Sequence, residues 1–158
     1  MLGTFAVGKS SLVRRYVRGE YDDAYLTTMG AQIEKKRVDL GDMKVDLVVW
    51  DLNGEDRFQD LFLGYLHGAA GYLLVVDATR KPSLELAYNL QRKVEREVGS
   101  LPFVTLINKV DLANPWEDQP ADIEALQQRG WDIRMTSAKT GTGVDKAFES
   151  LARRVAVE

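Results

Sequence analysis

Near the start of the chain, Gly3-Thr-Phe-Ala-Val-Gly-Lys-Ser10 carries the spacing G-x-x-x-x-G-K-[ST], and a helical pattern follows at once. Phosphate chemistry accounts for those residue types at those intervals. Gly3 and Gly8 let backbone N–H groups converge on phosphate oxygens with no Cβ in the way, and the next helix presents its positive end to the same charge. Lys9 would reach the terminal phosphates as a point charge. The Ser10 hydroxyl would ligate Mg²⁺, a cation that takes few protein ligands and keeps its waters and phosphate oxygens. The plain alternative is a glycine-rich turn ahead of a surface helix.

Three more groups fall beside the ends of extended runs. In Trp50-Asp-Leu-Asn-Gly-Glu55, the Asp51 carboxylate can hold a Mg²⁺-bound water, and Gly54 can swing its N–H onto a terminal phosphate. Alone, Asp and Gly after a strand mark a turn. Thr27-Thr28 lie in a polar stretch, where a hydroxyl is a reversible Mg²⁺ ligand or simply an ordinary strand entry. Asn108-Lys-Val-Asp111 follows an apolar run, and Asp111 offers two acceptor oxygens to the paired N–H donors that guanine presents and adenine lacks. Lys109 can lay its aliphatic stem along a base face. In Thr136-Ser-Ala-Lys139, the Ala138 N–H is placed to donate to the guanine oxygen.

These groups need a frame. Leu12, Val13, Tyr16 and Val17 recur at helical spacing over residues 11–18. Residues 31–40 and 43–50 read as extended, with Gly41-Asp42 between them, and so predict an antiparallel hairpin. Tyr72–Asp77 and Phe103–Asn108 are apolar runs ending in a polar residue, as in strands buried on both faces whose ends point into a site. Ser83 is expected to cap a helix over Leu84–Val98, and Thr142 with Asp145 has the spacing of a capping box for a terminal helix. Strands alternating with helices give an α/β fold with a mainly parallel sheet, whose ligands sit at the carboxyl ends of the strands. Only Met1-Leu2 precede Gly3, where a strand of about five residues is expected, so the chain is read as a single domain over 1–158 whose first strand is mostly missing.

Composition removes other classes. The 158 residues suit one domain, and 45% hydrophobic with 28% charged residues excludes disorder and collagen. With 21 basic against 24 acidic residues, the basic excess of a nucleic-acid binder is lacking. No cysteine is present, so disulfides, thiolate metal sites, prenylation and palmitoylation are excluded within these residues, in keeping with a cytoplasmic setting.

Taken together, the motifs at 3–10, 51–54, 108–111 and 136–139, with Trp50-Asp51 and Tyr25-Leu-Thr-Thr-Met-Gly30, make the sequence resemble a small Ras-superfamily GTPase of the Rab-like branch. The resemblance implies the P-loop small G-protein fold: a six-stranded, mainly parallel sheet with one antiparallel strand, flanked by helices. It implies that GTP or GDP binds with Mg²⁺, the phosphates held by Gly3, Phe5, Ala6, Val7, Gly8, Lys9, Ser10 and Ser11. Ser10, Thr28 and Asp51 then serve the metal, and Thr28, Gly54 and Glu55 stand at the reacting phosphate. Tyr21 packs edge-on near the base or is a plain surface aromatic. Asn108, Lys109, Asp111, Ser137, Ala138 and Lys139 recognise guanine. Effector and regulatory proteins are expected at the switch loops around Thr28 and Gly54.

Phe5 and Ala6 depart from the small residues, often glycine, usual in that loop, and Glu55 stands where most members carry glutamine. An ionised Glu55 accepts a hydrogen bond from water but cannot donate one to a phosphate oxygen. Phe5 could crowd the terminal phosphate, so slow hydrolysis is expected; alternatively, Phe5 turns outward and Glu55 faces solvent. The tail Arg153–Glu158 carries no lipid-bearing cysteine, which would suit a prokaryotic member, or an anchor cut away. A nucleotide-locked scaffold is the competing reading. An ATPase or nucleoside kinase is disfavoured by the guanine-type motif at 108–111.

Overall fold

A computed structural model describes residues 1–24, 30–52 and 64–157. Thr28, Gly54 and Glu55, assigned above to the reacting phosphate, lie outside the described residues. Helix α1 spans Lys9–Arg18, followed by strands β1 (Ala31–Asp39) and β2 (Lys44–Leu52). Strand β3 (Tyr72–Asp77), helix α2 (Pro82–Val98) and strand β4 (Phe103–Asn108) come next. Short helices α3 (Pro115–Asp118) and α4 (Pro120–Gln128) precede β5 (Ile133–Met135) and the last helix, α5 (Val144–Ala156).

The strands are hydrogen-bonded as an antiparallel β1–β2 pair and a parallel β3–β4–β5 sheet. Met1 and Leu2 join them. The Met1 nitrogen donates to the Trp50 carbonyl at 2.8 Å, and Leu2 exchanges backbone bonds with Leu73 and Val75, both 2.8 Å. Among the described residues the expected six-stranded sheet stands as a two-stranded and a three-stranded sheet, linked through Met1 and the Leu2–Leu74 bridge.

Each face of the parallel sheet is covered. On one side, Leu12, Val13 and Tyr16 of α1 meet Phe148 and Ala152 of α5 and the inner face of the hairpin. Tyr16 and Phe148 stack with ring centres 3.9 Å apart. On the other side, Leu84 and Val94 of α2 and Ile123 and Leu126 of α4 pack with Trp131. All six residues of β3 are buried, which explains an apolar run without alternation.

Two helix starts differ from expectation. Lys81, not Ser83, occupies the cap position of α2, because Pro82 opens the helix with its fixed φ. Ser83 lies inside the first turn, where its hydroxyl accepts the Asp77 N–H at 2.9 Å. Helix α5 begins at Val144 after Gly143, whose φ is 69°, and a Cβ there would collide with the Met135 carbonyl. The Thr142 hydroxyl pairs with that of Thr140 at 2.8 Å, so no capping box forms.

Candidate functional site

The carboxyl ends of the Leu2 stub, β3, β4 and β5 bring the sequence motifs together. Gly3 leaves the stub with φ 150°, and a Cβ would sit 2.7 Å from the Val75 carbonyl oxygen, so the first glycine of the loop is a requirement of close packing on β3. Ala6 has φ 61°, a left-handed conformation that L-residues adopt at a cost of roughly 1–2 kcal/mol. At Gly8, φ is 99° and a Cβ would run into the Asn108 side chain. The first helical bond of α1 is Leu12 N–H to the Gly8 carbonyl at 2.9 Å, so the earlier N–H groups point out of the positive end of the helix toward the loop.

Asn108 is 1% exposed and connects two loops. Its amide nitrogen donates to the Val7 carbonyl at 3.0 Å, and its oxygen accepts the Ala138 N–H at 3.2 Å and the Thr136 hydroxyl at 3.3 Å. A base oxygen would thus share the Ala138 donor with Asn108. Ser137 donates its hydroxyl to Asp111 Oδ1 at 2.7 Å, fixing the orientation of a carboxylate that is otherwise exposed. Lys109, at φ 68°, donates its ammonium to the Ala6 carbonyl and to Asp77, both at 2.8 Å. Lys139 pairs with Asp23 at 3.6 Å. Tyr21 is half-exposed nearby, its hydroxyl pushed up by partial burial and by the neighbouring Asp23 and Asp111 carboxylates.

At the phosphate end, Lys9 is buried and donates to the Gly3 and Thr4 carbonyls, both at 3.0 Å. Ser10 donates to Asp51 Oδ2. Asp51 is 2% exposed, and its other oxygen has no hydrogen-bond partner among the described residues. Burial pushes this carboxyl up, although the Ser10 hydroxyl and the nearby Lys9 charge oppose that. An orphaned buried carboxylate oxygen beside a hydroxyl is a hard, all-oxygen donor set, so Ser10 and Asp51 fit a Mg²⁺ ion with water between.

Sequence reasoning missed Arg15. Its Nε donates to the Ala138 carbonyl at 2.7 Å, and its remaining nitrogens reach the Lys139 and Gly19 carbonyls. Helix α1, which starts at the phosphate loop, therefore also holds the loop after β5. Helical spacing marked Arg15 only as a polar-face residue, so no signal distinguished it. The hairpin's outer face was missed as well. Ile33, Val48 and Trp50 are exposed there, and the Trp50 ring lies 5.4 Å from that of Tyr65.

A glycine-bounded loop feeding a helix N-terminus, with a buried lysine and a paired hydroxyl and carboxylate, defines a P-loop nucleotide-binding domain. The family model described as "Ras family" matches residues 1–157. Ras-related protein Rab-13 of Canis lupus familiaris is 32% identical over 157 residues, spanning 98% of this chain and 77% of the relative. Rab-13 of Rattus norvegicus is likewise 32% identical, over 158 residues with the same coverage. Ras-related protein Rab-21 of Geodia cydonium is 32% identical over 157 residues, covering 98% of this chain and 69% of that protein. The chain belongs to the Ras family, and is thus a GTP-binding protein of the small GTPase class, Rab-like in sequence.

Burial lowers the Lys9 ammonium from its ordinary 10.5 to about 8, the Asp51 charge opposing the shift. Between those values the unfolded chain binds more protons than the folded one, so stability rises with pH across that window. Without nucleotide, the protein should gain about 1–3 kcal/mol from pH 7.5 to 10 relative to Lys9→Met, read from urea midpoints of both proteins. Parallel pH profiles for the two would show that Lys9 keeps its ordinary affinity for protons.

Proposed function

We propose that the chain is a Mg²⁺-dependent GTP/GDP switch that hydrolyses GTP slowly and changes its partner surface with the nucleotide. The observation that carries the guanine part is the Ser137 hydroxyl fixing one oxygen of an exposed Asp111 beside Lys109 at the end of β4. Asp111 would accept the two adjacent N–H groups of guanine. An adenine in the same place would leave that carboxylate without its paired donors, a penalty of about 1–3 kcal/mol or more for a charged acceptor. Lys9 and the first-turn N–H groups of α1 would take the terminal phosphates, and Ser10, Asp51 and Thr28 the Mg²⁺, which neutralises phosphate charge when bound.

The partner surface follows from the hairpin. Ala31 pairs with Leu52 at one end of the hairpin, and the segments carrying Thr28 and Gly54 adjoin those two residues in sequence. Exposed Ile33 and Trp50 face each other near that end, with Val48 two residues along β2 and the Tyr65 ring against Trp50. An apolar patch at that end of the hairpin is a surface on which an effector could read the terminal phosphate. No helix among the described residues is long and apolar enough to cross a membrane. A cytoplasmic setting is part of this proposal, and the Rab relatives lend no support to a prokaryotic source.

Slow hydrolysis rests on Glu55 and on Phe5, which is 42% exposed in the phosphate loop. Phosphoryl transfer depends on positioning water and stabilising spread charge, and a carboxylate and a bulky ring oppose both. A nucleotide-locked scaffold is the limiting case of the same two residues.

Asp111→Asn should weaken GDP binding at least tenfold and shift preference toward xanthosine diphosphate, whose edge carries an acceptor where guanine has an amine; titration calorimetry measures both. Unchanged GDP affinity would remove Asp111 from the base site. In single-turnover hydrolysis, Phe5→Gly, Glu55→Gln and the double variant should each exceed the parent by more than about threefold, roughly 0.7 kcal/mol of barrier. Rates within that factor would make both residues bystanders.

A further inference from the structure

Asp77 closes β3 at 2% exposure, and both of its oxygens are engaged. Oδ1 accepts the Thr79 N–H at 2.9 Å and the Thr79 hydroxyl at 2.6 Å, while Oδ2 accepts Arg80 Nε at 3.0 Å and Lys109 Nζ at 2.8 Å. Burial pushes this carboxyl up, but hydrogen bonds from Lys109 and Thr79 outweigh it and hold the group below its ordinary value. Asp77 is thus a fixed anionic post, and each cation tied to it reaches on to the phosphate loop. Lys109 donates to the Ala6 carbonyl at 2.8 Å, and Arg80 Nη2 donates to the Phe5 carbonyl at 2.9 Å.

Those two carbonyls matter because of peptide planarity. The Phe5 carbonyl shares a rigid plane with the Ala6 N–H, and the Ala6 carbonyl with the Val7 N–H, each pair pointing in opposite directions. Holding the carbonyls outward aims the two N–H groups inward, where a loop of this type presents donors to phosphate. The loop needs such help at this point, since Ala6 holds a left-handed φ of 61° that a glycine would adopt without strain. We infer that Arg80 is a positioning residue for nucleotide binding: from the Asp77 post it holds the Phe5 carbonyl, and so the Ala6 N–H, in the phosphate-binding orientation, as a strut parallel to Lys109.

Its guanidinium fork suits the task. Nε and Nη2 diverge in one plane and serve Asp77 and Phe5 together, through two separate donors held in a rigid fork. The Arg80 charge is also near enough to Lys9 to contribute to its depressed proton affinity, which adds positive potential where phosphate charge would lie. The side chain is 45% exposed, so its removal leaves no cavity in the core.

The inference rests on the nucleotide-switch reading, and the parent protein tests that first by retaining a fluorescent GDP analogue. With the parent loaded, Arg80→Ala should release the GDP and GTP analogues about five- to tenfold faster, as expected for losing the charge-assisted bond that holds the Phe5 carbonyl at a half-exposed site. The melting temperature of the nucleotide-free variant should stay within about 2 °C of the parent, and Arg80→Lys should fall between the two in release rate. Release within twofold of the parent overturns the inference. So does faster release accompanied by a matching fall in nucleotide-free stability with no recovery in Arg80→Lys. A parent that retains no guanine nucleotide overturns the switch reading instead.

Discussion

The site depends on one buried amide. Asn108 has no water to turn to, so each of its polar atoms must be met by protein, and the partners it finds belong to two different loops. Through Val7 it fixes the end of the phosphate loop, and through Ala138 and Thr136 it fixes the loop after β5. The same side chain makes glycine obligatory at position 8, because it occupies the space a Cβ would need. Two loops at opposite ends of the sequence are therefore one structural unit. Asp77 repeats the arrangement one strand over with charged groups, and Arg15 adds a tie from α1 to Ala138 and Lys139.

This framework carries unfavourable terms of the kind that ligand binding can offset. Lys9 keeps a positive charge in a desolvated pocket, satisfied by two carbonyls of its own loop. Asp51 keeps a buried oxygen without a partner among the described residues. Ala6 and Lys109 hold left-handed backbone conformations that side chains disfavour. Such costs gather where binding can offset them, and the pairing of a desolvated cation with an orphaned carboxylate beside it matches a phosphate bound together with a hard metal ion. Binding should then both stabilise the fold and order the loop.

Local features were legible where one residue's chemistry decided the outcome. The P-loop spacing, the hairpin turn at Gly41-Asp42 and the apolar runs of β3 and β4 depend on short-range pattern, and the structure reproduces them. The cap positions were not legible, since Ser83 and Thr142 have the right side chains but their hydroxyls are engaged by Asp77 and Thr140. Nor could sequence show that Asn108 and Ala138 bond each other before any base arrives, or that Arg15 and Arg80 reach across to backbone carbonyls. Those contacts depend on which strand ends lie side by side, and that is a property of the assembled sheet.

The coupling of the two loops through Asn108 is tested most directly by amide hydrogen exchange on the nucleotide-free protein and on Asn108→Ala, with α2 as the internal control. The account requires that residues 3–8 and 136–139 lose protection together while the amides of α2 exchange at the parent rate. Loss of protection in only one of the two loops would contradict it, because the amide would then be serving a single neighbour.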